Sequence, residues 1–258
     1  MNPRDRLLQT LLFGRPDRVP LTPGGPREST LRAWHEQGLP ADTHYLDALA
    51  AILKVPGEAF HTSLGYGVDT RMIPQFEEKV LEHKDGHYIV QDWMGAITEI
   101  SDEFDVTYIR SAKDFVTRKW HKFPVSNRED WENIIWRYKA DEPARLADDL
   151  AERATRAQEA GLATSVSVNG PFWQMREWVG MENLCILMAT EPEFVHEMAE
   201  FWTEFTVMVF ERLLEQVSVD VLHMSEDMAY KAHSMISPKM AREFLQPTYR
   251  EWVRLFSA

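Results

Sequence analysis

The sequence has few of the features that mark secreted, membrane-spanning or nucleic-acid-binding proteins. It contains a single cysteine, Cys185, so no internal disulfide can form, and we expect a cytoplasmic protein. No run of about 18 apolar residues occurs, and no signal-peptide segment follows the charged start of the chain. With 28 basic against 41 acidic residues the net charge is −13, so we expect neither nucleic acid nor a membrane surface as a partner.

Common catalytic and metal-binding motifs are also missing. The chain lacks the glycine-rich dinucleotide-binding fingerprint, the phosphate-binding P-loop and the G-x-S-x-G nucleophile elbow. The histidines His61, His83, His87 and His121 do not have the H-E-x-x-H spacing of a zinc site. Cys185 lies in an apolar run, which favours a buried, inert thiol over a nucleophile. These motifs therefore predict no metal or nucleotide site.

The second half of the chain alternates strand-like and helical patterns. Residues 163–168 and 219–224 are short apolar runs typical of buried strands. Helical spacing predicts helices over 177–188, 191–217 and 238–255. This alternation predicts βαβ units with parallel strands, and 258 residues with 44% hydrophobic content fit one large α/β domain.

The first half mixes helices with a different kind of sheet. Helices are predicted over 3–13, 29–37, 42–55 and 142–160, and from a capping box at Ser126 and Glu129. Strands are predicted over 18–22 and, as a β-hairpin around the Asp85-Gly86 turn, over 71–83 and 87–100. The hairpin suggests an antiparallel unit beside the parallel one.

Blocks of residues spread over nearly the whole chain resemble one family in the order of its motifs. Residues 14–20 (G-R-P-D-R-V-P) are similar to its G-x-P-D-R-V-P start. Residues 169–172 (N-G-P-F), Arg176-Glu177 and 180–184 (G-M-E-N-L) resemble its G-P-F…R-E…G-x-E-N-L block. Residues 220–227, 236–238 (I-S-P) and 244–247 (F-L-Q-P) resemble its strand–acid–S-P–F-x-x-P block. The family is the uroporphyrinogen decarboxylase superfamily, which also contains the corrinoid-linked methyltransferases.

The resemblance implies a TIM (β/α)8 barrel. The chain would then form a single domain over 1–258 that reaches only about the fourth strand, namely the first half of the barrel with N-terminal helices and a β-hairpin. The last residues keep helical spacing without a glycine, asparagine or proline stop. We therefore expect the barrel to be unfinished at Ala258, with the domain continuing beyond it.

The resemblance leaves three functions open. The first is methyl transfer between a corrinoid and a small molecule or thiol, with a corrinoid protein as partner. The family's zinc ligands, an H-x-C motif and a later cysteine, are absent here and are expected beyond residue 258. The second is cofactor-free tetrapyrrole decarboxylation, but residues 22–27 (T-P-G-G-P-R) replace the substrate-binding R-Q-A-G-R motif. The third is a non-catalytic corrinoid- or tetrapyrrole-binding protein.

Two adjacent acids, Glu226 and Asp227, are the candidate catalytic residues. They follow a predicted strand, where a barrel gathers its catalytic groups. Carboxylates there suit proton transfer or the binding of substrate NH groups. The alternative is that they cap a helix and compensate its dipole. His223, in the same strand, is a candidate substrate-binding residue, with a structural histidine as the alternative.

Three further residues are candidates for substrate binding. Asn169 ends a predicted strand and could donate to a substrate oxygen, although turn chemistry also explains it. Arg176 could pair a substrate carboxylate or form an ion pair with Glu177 or Glu182. Asp92 belongs to an acidic–aromatic stretch that lies near the pocket in similar proteins. Its alternative is an exposed acid on the hairpin.

Overall fold

Two separate sheets organise the chain. The computed structural model describes residues 1–111, 113–114 and 116–257. The parallel sheet contains β1 (Ser63–Gly65), β6 (Ala163–Asn169) and β7 (Val221–Ser225), in the order β1-β6-β7. The antiparallel sheet contains, in this order, β2 (Lys79–Lys84), β3 (His87–Gln91), β4 (Ile97–Ser101) and β5 (Lys119–Lys122). The predicted α/β class is confirmed, and the strands of the described ranges form no closed barrel.

Helices connect and cover the strands. They are α1 (Pro3–Leu11), α2 (Glu28–Glu36), α3 (Tyr45–Leu53), α4 (Tyr108–Ser111), α5 (Arg128–Ile135), α6 (Leu150–Glu159), α7 (Pro171–Val179), α8 (Met181–Thr190), α9 (Pro192–Leu214), α10 (Pro238–Met240) and α11 (Gln246–Phe256). Short 3₁₀ turns cover Gly57–Phe60 and Pro143–Arg145, and a wider π-helical turn, Ala241–Leu245, joins α10 to α11. No helix in the described part of the chain is long and apolar enough to cross a membrane.

The predicted pairing of 163–168 with 219–224 is confirmed, because β6 and β7 are parallel neighbours with Ser165 opposite Val221 and Asn169 opposite Ser225. Alternation gives the sheet two faces. Val166 and Val168 belong to the large core beneath the covering helices, whereas Ala163 and Val221 pack with Leu7 of α1. One face of the sheet therefore rests on the main core, and α1 covers the amino end of the other.

Aromatic rings fill the main core. Trp131, Trp178, Trp202 and Phe205 are at most 1% exposed. Tyr138 lies among them, with ring centroids 5.7 Å from Trp178 and 5.3 Å from Phe205 in edge-to-face arrangements. Each such ring buries a large apolar area, and edge-to-face pairs add about 0.5–1.5 kcal/mol beyond burial. The core therefore forms a rigid base under the carboxyl end of β6.

An ion pair joins α1 to the amino end of the parallel sheet. Two Arg4 nitrogens donate to Asp220 at 2.9 and 2.6 Å, and Asp220 also accepts from the Thr164 amide at 3.0 Å. Burial pushes the pKa of Asp220 up, but these hydrogen bonds outweigh burial and leave the pKa below its ordinary value of 3.8. The contact therefore stabilises the folded state only while Asp220 is ionised.

Asp220→Asn is expected to lower the free energy of unfolding by about 1 kcal/mol at neutral pH. A lowered pKa contributes stability above the unfolded value of 3.8, and this is lost as pH falls through the lower folded value. Urea denaturation at neutral pH and at a pH well below 3.8, past the lower folded pKa of Asp220, measures the difference. The exposed Asp141→Asn serves as control. An equal loss at both pH values would show that the ion pair is not the cause.

The predicted hairpin is confirmed, but its strands, β2 and β3, are shorter than the predicted 71–83 and 87–100. Asp85 and Gly86 both have positive φ, +51° and +77°, as a tight two-residue hairpin turn requires. Residues 87–100, however, form two strands, because residues 92–96 turn the chain back. Asp92 makes this second turn by accepting hydrogen bonds from the amides of Met94 and Ala96 at 3.0 and 2.9 Å.

Other segments also differ from the sequence predictions. Residues 18–22 form no strand, because Pro20 lacks an amide hydrogen and the segment has no neighbour to pair with. Helix α5 is capped by Asn127, which accepts from the Asp130 amide at 2.9 Å, so the predicted cap at Ser126 and Glu129 is one residue early. The 142–160 segment divides into a 3₁₀ turn and α6.

Gly180 divides the predicted 177–188 helix into α7 and α8. Its φ is +84°, and a Cβ there would lie 2.4 Å from the Phe123 ring. Since α7 begins at Pro171, Arg176 and Glu177 lie inside a helix that starts at the end of β6. This places the two side chains directly above the carboxyl end of the parallel sheet. Ala258 lies outside the described residues.

Candidate functional site

A cavity of about 600 Å³ opens at the carboxyl ends of β1 and β6. We call it the strand-end cavity. Its walls include the loop 67–72 after β1, the strand end 167–169, residues 93–94 of the turn between β3 and β4, and three side chains of α7. Ligands of α/β proteins bind at the carboxyl ends of parallel strands, because loops there can vary without disturbing the sheet. The position and size fit a small-molecule site.

Buried Arg145 supports the loop wall of this cavity. The guanidinium has no exposed surface and donates to four backbone carbonyls, those of Asp69, Arg71, Arg137 and Lys139. It lies over the Phe205 ring with 4.6 Å from Cζ to the ring centroid. Burial lowers the Arg145 pKa, although Asp69 opposes this shift. Arg145 thus joins the cavity loop to the aromatic core.

Polar side chains at the floor of the cavity bind one another. The Asn169 amide donates to the Gln174 side-chain oxygen at 3.2 Å. The Tyr138 hydroxyl accepts from Gln174 Nε2 at 3.5 Å and from Trp178 Nε1 at 2.7 Å. Trp202 Nε1 donates to the backbone carbonyl of Asn169 at 3.0 Å. This network fixes the orientation of the two carboxamides, which a substrate oxygen or NH group could then contact.

Two acids line the strand-end cavity, Asp69, which is paired with Arg71, and Glu177. The Glu177 carboxyl accepts from Trp173 Nε1 at 2.7 Å. Burial raises the Glu177 pKa, and neither the Trp173 hydrogen bond nor the charge of Arg176 reverses the shift. Nearby Asp92 raises it further. A carboxyl in such surroundings keeps its proton at higher pH than an exposed glutamate and can act as a proton donor.

A second cavity, of about 640 Å³, adjoins the first and shares Trp93, Met94 and Glu177 with it. We call it the aromatic cavity, because rings from three segments line it. The rings belong to Trp93, Trp120, Phe123 and Trp173. Trp120 and Phe123 are stacked, with centroids 5.0 Å apart and planes 15° apart. Glu177 is therefore accessible from two sides.

Asp92 is buried and precedes Trp93 and Met94, two of the residues that both cavities share. It is 1% exposed, which overturns the interpretation of an exposed hairpin acid. Its Oδ1 binds two turn amides, and its Oδ2 has no hydrogen-bond partner among the described residues. Burial raises its pKa, against the turn amides and the charge of Arg118. Asp92 shapes the turn that carries Trp93 and does not line either of the two cavities.

Glu226 and Asp227 bind α7 and do not line either of these cavities. The Glu226 carboxylate accepts from the amides of Phe172 and Trp173 at 3.2 and 2.8 Å, and from the Tyr249 hydroxyl at 2.6 Å. Asp227 pairs with Arg176. The helix-capping alternative thus describes the Glu226 contacts, although the helix is α7 and not one that follows Glu226 in sequence.

The structure separates the other sequence candidates. Asn169 lines the strand-end cavity and Arg176 the aromatic cavity. Arg176 pairs with Asp227, so the expected partners Glu177 and Glu182 are wrong. His223 is exposed on β7, opposite Ser167, and lines neither cavity.

Sequence reasoning missed Glu177 and Arg145. Glu177 belongs to the Arg176-Glu177 motif quoted above. The helix was predicted to begin at 177 instead of 171, so the orientation of the Glu177 side chain on α7 could not be predicted. Arg145 lies in a short 3₁₀ turn, and such a turn has no hydrophobic periodicity from which its buried position could be predicted.

The described residues contain no set of side chains that could bind the zinc ion implied by the family resemblance. Within residues 1–111, 113–114 and 116–257, no group of three or more His, Cys, Asp or Glu side chains could hold a metal ion. Half-buried Cys185 has a pKa raised by burial, which disfavours the thiolate that binds zinc. The described residues therefore do not fit the zinc of the corrinoid methyltransferases, and we assign none of them to it.

Comparisons with protein-family models, curated proteins and solved structures find no match to the chain. Its function must therefore be inferred from the geometry of the two cavities and from the resemblance of its motifs.

Proposed function

We propose that the chain is an enzyme of the uroporphyrinogen decarboxylase superfamily, from a branch outside haem synthesis, built on a TIM barrel. Three features support the barrel: β1, β6 and β7 are parallel, they lie side by side in the order in which they occur along the chain, and helix α7 follows the carboxyl end of β6. The ordered motif blocks support the superfamily. A cytoplasmic location and a corrinoid protein as partner remain predictions.

The reaction that we propose is methyl transfer between a corrinoid and a small molecule that holds the methyl group on oxygen, nitrogen or sulfur. The observation that supports this reaction is Glu177, a half-buried carboxyl with a raised pKa that lines both cavities. When a methyl group leaves a heteroatom, the heteroatom needs a proton, and a neutral carboxyl can donate it. Asn169 and Gln174 orient the small molecule beside that proton.

Charge disfavours the decarboxylase alternative. A polycarboxylate tetrapyrrole needs several cations, as the arginine pair of the R-Q-A-G-R motif provides in genuine decarboxylases. In the strand-end cavity, Arg71 is paired with Asp69 at 2.7 Å, and the Arg145 fork binds backbone carbonyls. Uroporphyrinogen III is therefore expected to remain unconsumed.

Glu177→Gln is the decisive variant. Wild-type protein is incubated with reduced cobalamin and a set of methyl donors (methanol, methylamines, methyl ethers, methyl thioethers), and methylcobalamin formation is followed by absorbance. We expect kcat to fall roughly 100-fold or more in the variant, with KM little changed, as for loss of a general acid. The wild-type rate should fall as pH rises through the raised Glu177 pKa, because the acid then loses its proton.

The exposed Glu200→Gln, on α9, is the matched control and should keep wild-type rates. Corrinoid binding without transfer, unchanged in Glu177→Gln, would favour the non-catalytic binding protein. Consumption of uroporphyrinogen III would favour the decarboxylase, and either result would refute our proposal.

A further inference from the structure

We propose that the aromatic cavity is a second binding site, and that it takes a planar aromatic ring bearing a carboxylate. Its volume of about 640 Å³ lies in the range of small-molecule sites. The assignment rests on the proposed function in one respect, that Glu177 is where the two ligands meet. Binding at the site does not depend on turnover.

Aromatic surfaces make the cavity suitable for a flat ring. Trp93 belongs to the turn between β3 and β4, Trp120 to β5 and Trp173 to α7, so the rings line the aromatic cavity from three different segments. Gly180 leaves room for Phe123, whose ring would lie 2.4 Å from a Cβ at that position. Offset-stacked and edge-to-face contacts favour a planar conjugated ligand over a saturated ring of similar size.

Arg118 makes the cavity suitable for an anion. This half-buried guanidinium donates to the Ile109 carbonyl and lies 5.9 Å from the centroid of the Trp120 ring. Among the described residues, no carboxylate lies within the 4.0 Å of an ion pair with it. The acids Asp92 and Glu177 act on the Arg118 charge without forming an ion pair with it. A carboxylate on the ligand would therefore supply the close partner that the guanidinium lacks and could bind its fork at two points.

The other charged groups of the cavity agree with this assignment. The Arg176 guanidinium is neutralised by Asp227 and lies 4.6 Å from the Trp173 ring centroid. Burial raises the pKa of Glu177, which disfavours a negative charge there, and Glu182 is exposed at the rim, where water screens its charge. Aromatic cages also bind methylated ammonium groups. Here Arg118 and Arg176 already lie over two of the rings, so a cationic ligand would meet like charge.

The experiment measures binding of benzoate to the full chain by calorimetry. Three comparison probes separate the contributions: cyclohexanecarboxylate keeps the charge but not the flat ring, benzamide keeps the ring but not the charge, and choline carries the opposite charge. We expect benzoate to bind at least several-fold more tightly than each of the three.

Variants then locate the site. Arg118→Gln should weaken benzoate binding about tenfold or more, and Arg118→Lys by less, because lysine keeps the charge but lacks the fork. Trp120→Leu should also weaken it, whereas the controls Arg156→Gln on α6 and Trp34→Leu on α2 should not. Circular dichroism and thermal melts confirm that each variant is folded.

Absence of benzoate binding, equal binding of cyclohexanecarboxylate, stronger binding of choline, or unchanged affinity in folded Arg118→Gln would each overturn the assignment. Benzoate binding is measured without a methyl donor or corrinoid, so its outcome does not depend on turnover. Benzoate binding without any methyl transfer would thus refute the proposed reaction alone.

Discussion

Arg145→Ala is expected to destabilise the protein by about 3–5 kcal/mol, because it removes a buried cation and leaves its carbonyl partners without donors. Typical domains unfold with only about 5–15 kcal/mol. A loss of this size therefore removes a large part of the stability. Four backbone carbonyls bind this one guanidinium, and none of its surface is exposed to water that could replace it.

Two further substitutions separate packing from hydrogen bonding. Arg145→Met retains most of the side-chain volume over the Phe205 ring but no donors. It should therefore cost nearly as much as alanine. Arg145→Lys keeps a charge and fewer donors, and should cost about 2 kcal/mol. The exposed Arg156→Ala on α6 should change stability by less than about 0.5 kcal/mol. Urea denaturation at neutral pH measures all four.

A small effect of Arg145→Met, close to that of Arg156→Ala, would contradict the role assigned to the fork. The loop 67–72 should also become mobile in any folded Arg145 variant, because two of the four carbonyls belong to it. Hydrogen exchange of the Asp69 amide, which donates to the Arg145 carbonyl at 2.8 Å, reports this mobility.

Gly170→Ala is expected to destabilise the protein by about 2–4 kcal/mol, because the new methyl group would occupy the place of the Glu226 side chain. A Cβ at Gly170 would lie 2.3 Å from the Glu226 carboxyl carbon and 2.5 Å from its Cγ. The carboxylate cannot give way without losing the amides of Phe172 and Trp173 and the hydroxyl of Tyr249.

A double-mutant cycle tests this cause. In a Glu226→Ala background the obstacle is gone, so Gly170→Ala should cost less than about 1 kcal/mol, and the two changes should be strongly non-additive. Tyr249→Phe removes one of the three hydrogen bonds and should cost about 1 kcal/mol. Gly25→Ala is the matched control, since no atom lies within 4 Å of its Cβ position.

Equal costs of Gly170→Ala with and without Glu226 would show that the clash is not the reason for the glycine. The same cycle bears on the catalytic assignment of Glu226. If methyl transfer falls only in proportion to the loss of folded protein, Glu226 acts by holding α7 and not in the reaction itself. A fall in kcat of the folded enzyme would keep it as a catalytic candidate.

Much of the secondary structure follows from local rules. Asp85-Gly86 adopts the positive φ angles of a tight turn, and the apolar runs at 163–168 and 219–224 became parallel neighbours. Errors concentrate where tertiary contacts override local signals. Pro16 and Pro20 flank a segment that finds no strand to pair with, and Gly180 ends a helix because Phe123 needs the space.

The candidate site was predictable only in part. Asn169 lines the strand-end cavity, because it lies at the carboxyl end of a buried parallel strand; its role in substrate binding stays a prediction. Glu226 and Asp227 satisfy the same rule, yet they turn toward α7. Local sequence patterns predict which face of a strand or helix is apolar, but they do not predict which carboxylate binds the amides at the end of a distant helix.

By itself the sequence determined the α/β class, the antiparallel hairpin and the parallel pairing of β6 with β7, since periodicity and turn chemistry act over a few residues. Only the tertiary structure decided that Arg145 binds the cavity loop, that Glu226 holds α7, and that Glu177 lies between two cavities. Those contacts join residues from about 50 to more than 70 positions apart. Their geometry depends on how buried polar groups find partners once the core has formed.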